Sequence, residues 1–154
     1  MMLAMKDERY LKLRDRIRGL CSRREYCSKD IFDKVCRALD REAAAQMLAE
    51  LQADKYVDDF RYASAYARDK ASIAGWGVAK IRYMLASKGV GADVIAAALA
   101  EVDSEKASSR LEKLLETKRR ALKDDPQWRI KLLRFGLGRG YSYDEVSTCV
   151  DKLK

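Results

Sequence analysis

Lys88-Gly89-Val90-Gly91-Ala92-Asp93-Val94-Ile95 and, 51 residues downstream, Arg139-Gly140-Tyr141-Ser142-Tyr143-Asp144-Glu145-Val146 obey one rule. A basic residue is followed by glycine, then an apolar residue, then a second apolar residue five positions on. This is the chemistry of one helix ending and another beginning. Glycine at the position after a helix accepts the left-handed backbone that closes it. Ser142 and Glu145 have capping-box spacing, and Tyr141 with Val146 has the spacing of a hydrophobic staple.

Upstream, Ser28 and Phe32 stand to Gly77 and Ile81 at an offset of 49. The simplest description is three units of about fifty residues, each a long, a medium and a short helix. These are residues 1–56, 57–102 and 103–154. The helical stripes support it. Tyr10, Leu13, Ile17, Leu20 and Cys21 line a first helix, and Phe32, Val35 and Leu39 a second with Ser28 as its N-cap. Asp40 caps a third carrying Ala44, Met47, Leu48 and Leu51. Asp58 caps the next, with Val57 and Tyr62 as its staple and Tyr62, Ala65, Tyr66 and Ile73 facing inward. It stops at Gly75-Trp76-Gly77, where Trp76 either plugs the joint or stands out as a contact residue. Val78, Ile81, Met84 and Leu85 mark the fifth helix, and Val90 to Val102 the short sixth. In the last third, Leu111, Leu114, Leu115 and Leu122 follow Ser104. Asp125-Pro126 then opens a helix with Trp128, Leu132 and Phe135. The expected fold is all-α, three tandem imperfect three-helix repeats in an elongated, curved array, a shape that binds macromolecules along its surface.

Composition agrees. The 154 residues are 48% apolar and 36% charged, with one proline and eight glycines, too few breakers for a β-protein. The opening MMLAMKDERYLKLR has no apolar run of signal-peptide length, and none of Cys21, Cys27, Cys36 and Cys149 forms a C-x-x-C pair. Reduced cysteines packed as small apolar side chains and a cytoplasmic location are the expectation. No membrane contact is expected. With no histidine the commonest general base is missing, and Gly136-Leu137-Gly138-Arg139-Gly140 follows a helix where a phosphate loop would follow a strand. Asp58-Asp59 and Asp124-Asp125 sit at helix starts, where capping accounts for them better than a metal does. No enzyme, cofactor or metal site is expected.

The 32 Lys and Arg against 24 Asp and Glu give +8, which favours a polyanionic partner. Residues 1–40 and 103–154 each carry an excess of +4, while residues 41–102 balance. Residues 9–24 hold seven cations against Asp15, and Arg9, Lys12, Arg16 and Arg23 fall opposite the apolar stripe. Phosphate neutralisation needs only such an exposed face. Base-specific readout is not expected from a chain with no Asn and three Gln.

The central stretch resembles the RecX family, bacterial regulators of the RecA recombinase. Asp58-Asp59-Phe60-Arg61-Tyr62-Ala63-(x)2-Tyr66 is similar to D-D-x-R-F-A-x-x-Y, with Tyr62 where Phe is usual. Gly75-Trp76-Gly77-(x)3-Ile81-(x)3-Leu85-(x)2-Lys88-Gly89-Val90 resembles G-x-G-P-x-x-I-x-x-x-L-x-x-K-G-I, with Val78 in place of proline. Arg23-Arg24-Glu25-Tyr26-Cys27-Ser28 is similar to that family's R-R-E-H-S, with one extra residue and no His. The resemblance implies a non-enzymatic modulator that binds in the groove of RecA filaments on single-stranded DNA and limits their extension, strand exchange, ATP hydrolysis and co-protease activity. Candidate contacts to RecA or DNA are Arg14, Arg16, Arg18, Arg23 and Arg24 in the first unit, and Arg61, Lys80, Arg82 and Lys88 in the second. The third unit adds Lys118, Arg119, Arg120, Arg129, Lys131, Arg134 and Arg139. The expected partners of the monomer are the RecA filament and single-stranded DNA, with duplex DNA a weaker ligand. The alternative is a sequence-independent DNA-binding or nucleoid-type protein acting without RecA.

Overall fold

The computed structural model describes residues 7–154; the reading of the first six residues lies outside them. Among the described residues the secondary structure is helical throughout. The order is α1 (Glu8–Arg23), α2 (Ser28–Cys36), α3 (Arg41–Ala53), α4 (Asp59–Ser72), α5 (Val78–Ser87), α6 (Ala92–Leu99), α7 (Ser104–Ala121), α8 (Trp128–Gly138) and α9 (Tyr143–Asp151). The caps follow the chemistry of the sequence. Asp7, Asp40, Asp58 and Asp103 each accept from an amide of the first helical turn, satisfying donors that the helix itself leaves open. Ser142 and Glu145 close a full capping box.

Each group of three helices gathers its own core. Tyr10, Leu13, Ile17, Ile31, Val35, Ala44, Met47 and Leu51 pack together in the first. Tyr62, Ala63, Ala67, Ile81, Leu85, Ile95 and Leu99 do so in the second, and Leu111, Leu115, Leu132, Val146 and Val150 in the third. Truncating a fully buried Leu or Ile in such a core costs about 2–5 kcal/mol. Tyr66 and Trp76 meet edge to face at 6.4 Å against the second core, so Trp76 packs at the joint, half-buried.

Several details differ from the stripes. The N-cap positions of α2 and α5 are Cys27 and Gly77, an offset of 50, and Ile31, not Phe32, is the counterpart of Ile81. Ser28 is the first residue of α2, and the Asp59 carboxylate receives both its amide (2.8 Å) and its hydroxyl (2.9 Å). Small residues carry the inner face of α4 (Ala63, Ala67, Ala71), which turns Ile73 out to 82% exposure. Val78 also lies outward. Helix α8 starts at Trp128, because Asp125 first folds its own turn, its carboxylate accepting from the Gln127 amide at 2.8 Å. Helix α6 occupies the middle of its expected range.

The groups join at two seams. At the first, Arg61 Nε donates to Glu25 at 2.7 Å, Lys88 Nζ pairs with Asp30 at 3.3 Å, and Cys27 of the first unit sits fully buried in the second unit's core. The second brings main chain against main chain. The Gly77 amide donates to the Arg139 carbonyl at 2.7 Å and the Ala79 amide to the Gly140 carbonyl at 3.1 Å. Open donors at the start of α5 thus meet open acceptors at the end of α8. Such approach needs glycine on both sides. A Cβ on Gly77 would lie 2.4 Å from the Gly140 oxygen, and one on Gly140 (φ +98°) would lie 2.4 Å from Lys80 Cβ.

Gly140→Ala is therefore expected to lower stability by at least about 2 kcal/mol through overpacking and backbone strain together. Gly138→Ala, with open space around it, is expected to be neutral or stabilising by up to about 1 kcal/mol. Urea midpoints of the two variants check this. A second expectation concerns alkali. Burial pushes the Tyr62 phenol from its ordinary 10.0 up to about 12, and the Cys27 thiol up from 9.0. The unfolded chain releases those protons first, so stability that is complete below pH 9 declines as pH rises from there to about 12. A urea midpoint that stays the same from about pH 8 to about pH 11 would refute it.

Candidate functional site

The sixteen basic candidates divide by what they already hold. On α1, Arg14 pairs with Glu50 of α3 at 3.3 Å with only a fifth of its side chain exposed. Arg18 reaches Asp54 at 3.4 Å and lies over the Tyr56 ring at 5.4 Å. These two cations fasten α1 to α3. Arg16, Arg23 and Arg24 are exposed. Arg16 and Arg23, seven residues apart, share one helical stripe with Arg9, which donates to the Ala38 carbonyl at 2.6 Å. Arg24 covers the Tyr26 ring at 4.2 Å.

The second unit's candidates are largely structural. Arg61 bridges to Glu25 and donates to the Lys55 carbonyl at 3.0 Å, and its guanidinium is held more basic than usual, chiefly by the Glu25 hydrogen bond. Lys88 belongs to the same seam. Lys80 lies 4.5 Å over Trp76, whose ring Lys70 also covers at 4.8 Å. Arg82 is exposed.

On the third unit, α7 and α8 set cations around aromatic rings. Arg119 and Arg129 lie over Trp128 at 4.0 and 4.7 Å, and Lys118 and Arg139 over Phe135 at 5.4 and 5.3 Å. Arg139 also donates to the Ala74 carbonyl at 2.6 Å, which ties it to the second seam. Lys131 is bound to Asp125 and holds that carboxyl below its usual range. Arg120 and Arg134 are exposed. Beside this face, a groove of about 520 Å³ runs between the end of α4 and the α7–α8 pair, with Arg110 and Lys113 on its wall. Sequence reasoning passed over Arg110 and Lys113 and put Ile73 in the core, whereas Leu114 does pack against the third core while also lining the groove. The i, i+3 pair Arg110 and Lys113 was the available signal.

The motif residues Asp58, Asp59, Tyr62, Tyr66, Gly75, Trp76, Gly77, Ile81, Leu85 and Gly89 fall in or around the second unit's core and its two seams. Asp58 caps α4, while Gly75 (φ +71°) and Gly89 (φ +78°) take the left-handed turn. Among the described residues no group of acidic, Cys or His side chains is arranged to hold a metal, and no helix is long and apolar enough to cross a membrane.

The division of labour has an energetic consequence. Arg14→Glu or Arg18→Glu would set like charges against Glu50 or Asp54 and is expected to cost about 1–3 kcal/mol. Arg16→Glu and Arg23→Glu should change stability by less than about 0.5 kcal/mol. Thermal melts of the four single variants distinguish the two classes.

Residues 58–99 match a family model described as the second three-helix domain of RecX. Over 153 residues the chain is 31% identical to the regulatory protein RecX of Clostridium botulinum (strain Eklund 17B / Type B), which takes in 96% of this chain and 71% of that protein. It is 27% identical over 154 residues to the regulatory protein RecX of Clostridium perfringens (strain SM101 / Type A), covering 97% and 72%. Among solved structures, a crystal structure of RecX from Lactobacillus salivarius aligns with a TM-score of 0.81 at 19% identity, covering 94% of this chain and 96% of that one. A further crystal structure of regulatory protein RecX gives 0.84 at 23% identity, covering 93% and 72%. At these identities the structural matches speak for the fold.

Proposed function

Since the chain belongs to the RecX family of regulatory proteins, we propose that it is a non-enzymatic regulator of a RecA recombinase, binding RecA filaments on single-stranded DNA and limiting their extension. The observation that carries this reading is the stripe of Arg16 and Arg23, cations left on the surface after Arg14 and Arg18 have been used to hold α1 on α3. The exposed Arg120 and Arg134 offer a second such patch at the other end of the chain. Exposed guanidinium groups on a helix neutralise phosphates without reading bases, and they bind an acidic protein surface by the same bidentate chemistry. The three units, proposed as 1–56, 57–102 and 103–154, would present these ends as one insert for a helical groove. The protein supplies no chemical step in this reading; ATP hydrolysis belongs to the recombinase.

The test is RecA ATPase and filament disassembly on single-stranded DNA with substoichiometric amounts of the protein. Inhibition is expected, and Arg16→Glu with Arg23→Glu is expected to weaken it. The same pair should flatten the salt dependence, its slope falling by about 0.7 for each phosphate no longer neutralised. No effect on RecA at any ratio would remove the proposal. Tight duplex binding without RecA would point instead to a DNA-binding protein acting alone.

A further inference from the structure

The groove between the end of α4 and the α7–α8 pair has an aliphatic floor and cationic walls. Ile73, Leu114 and Ala121 supply the floor. Ile73 is 82% exposed, so it contributes almost nothing to the core it borders. Arg110, Lys113, Lys118 and Arg139 form the walls, and no carboxylate lines the groove among the described residues. The neighbouring cleft, which shares Ser72 and Arg110, is lined by Glu101 and Asp103 as well as by cations. The single sign of charge thus belongs to this groove and not to the joint as a whole. Arg139 is held in place by the Ala74 carbonyl, and Arg110 by its hydrogen bond to the Tyr141 side chain.

We propose that this groove docks a short acidic, amphipathic helix of a partner protein. Its apolar side chains would cover Ile73 and Leu114, and its carboxylates would meet Lys113 and Lys118 at the rim. An exposed aliphatic side chain between cations is satisfied by a ligand that carries both apolar surface and negative charge. Single-stranded nucleic acid fits less well. Bases stack on open aromatic faces, and Phe135 here lies under Lys118 and Arg139. The proposal stands on the groove alone and does not depend on the filament reading.

Fluorescence anisotropy of the full chain against three labelled probes tests it. The first is an alanine-based helical peptide with Leu at positions i, i+3 and i+7 and a few Glu on the flanks of that stripe. The second has the same charge with Ser replacing Leu, and the third is a thymidine oligonucleotide of equal net charge. The first peptide should bind about ten-fold more tightly than the second. Ile73→Ser and Lys113→Glu should each weaken it about five- to ten-fold, with unchanged thermal melts, since both side chains lie on the surface. Equal binding of the two peptides, or indifference to both substitutions, would overturn the proposal. So would loss of the oligonucleotide, in place of the peptide, on substituting Ile73.

Discussion

The amide of Gly77 donates to the carbonyl of Arg139 at 2.7 Å, at a crossing so close that a Cβ on Gly77 would lie 2.4 Å from the Gly140 oxygen. Much of the second half of the molecule is arranged around that contact. It fixes α8 against the start of α5, which brings Tyr141 under the chain so that its hydroxyl donates to the Gly75 carbonyl at 3.1 Å. It also carries the Arg139 side chain to Ala74. The opening between α4 and α7 is the space left once these elements are joined. The first seam solves the same problem with side chains. Asp59 takes the open amide of Ser28, and Arg61–Glu25 and Lys88–Asp30 span the gap. Ion pairs that salt weakens therefore span the first joint, while hydrogen bonds to main-chain carbonyls, less sensitive to it, hold the second.

Charge in this protein has two uses that composition does not separate. Arg14, Arg18, Arg61 and Lys88 hold helices together, and their neighbours Arg16, Arg23 and Arg82 do not. Residues two apart on one helix fall on different faces. Arg14 and Arg16 thus differ in environment despite sharing a residue type and a stretch of sequence. The third unit adds a further mode, guanidinium groups lying over Trp128, an attraction of about 0.5–1 kcal/mol at an exposed site.

The repeat was legible because its signals are local. A capping Asp, a glycine after a helix and a staple all act within one turn, and Asp40, Asp58, Gly89 and Ser142 sit where their chemistry requires. The register error at Ser28 and Phe32 arose because a serine looks like a cap, whereas here a carboxylate 31 residues away takes over the role. Ile73 was misplaced because spacing alone cannot tell that Ala63, Ala67 and Ala71 bury the opposite face of α4 against α6. The pairing of Arg14 with Glu50 and the groove beside Ile73 depend on which helices meet, and that is set by long-range packing which no window of sequence contains.

Cys27 belongs by sequence to the first unit and by packing to the second, where it is fully buried. On a ribosome this thiol emerges well before the helices that will enclose it. The first unit can assemble its own core from Tyr10 to Val57 while this position still waits at its edge. The second unit then closes over a surface already laid down, whereas the third keeps a core of its own and meets the turn before α5 through hydrogen bonds. Vectorial synthesis thus supplies the second unit's missing wall before that unit is made, and a second unit excised on its own would begin life with that wall absent.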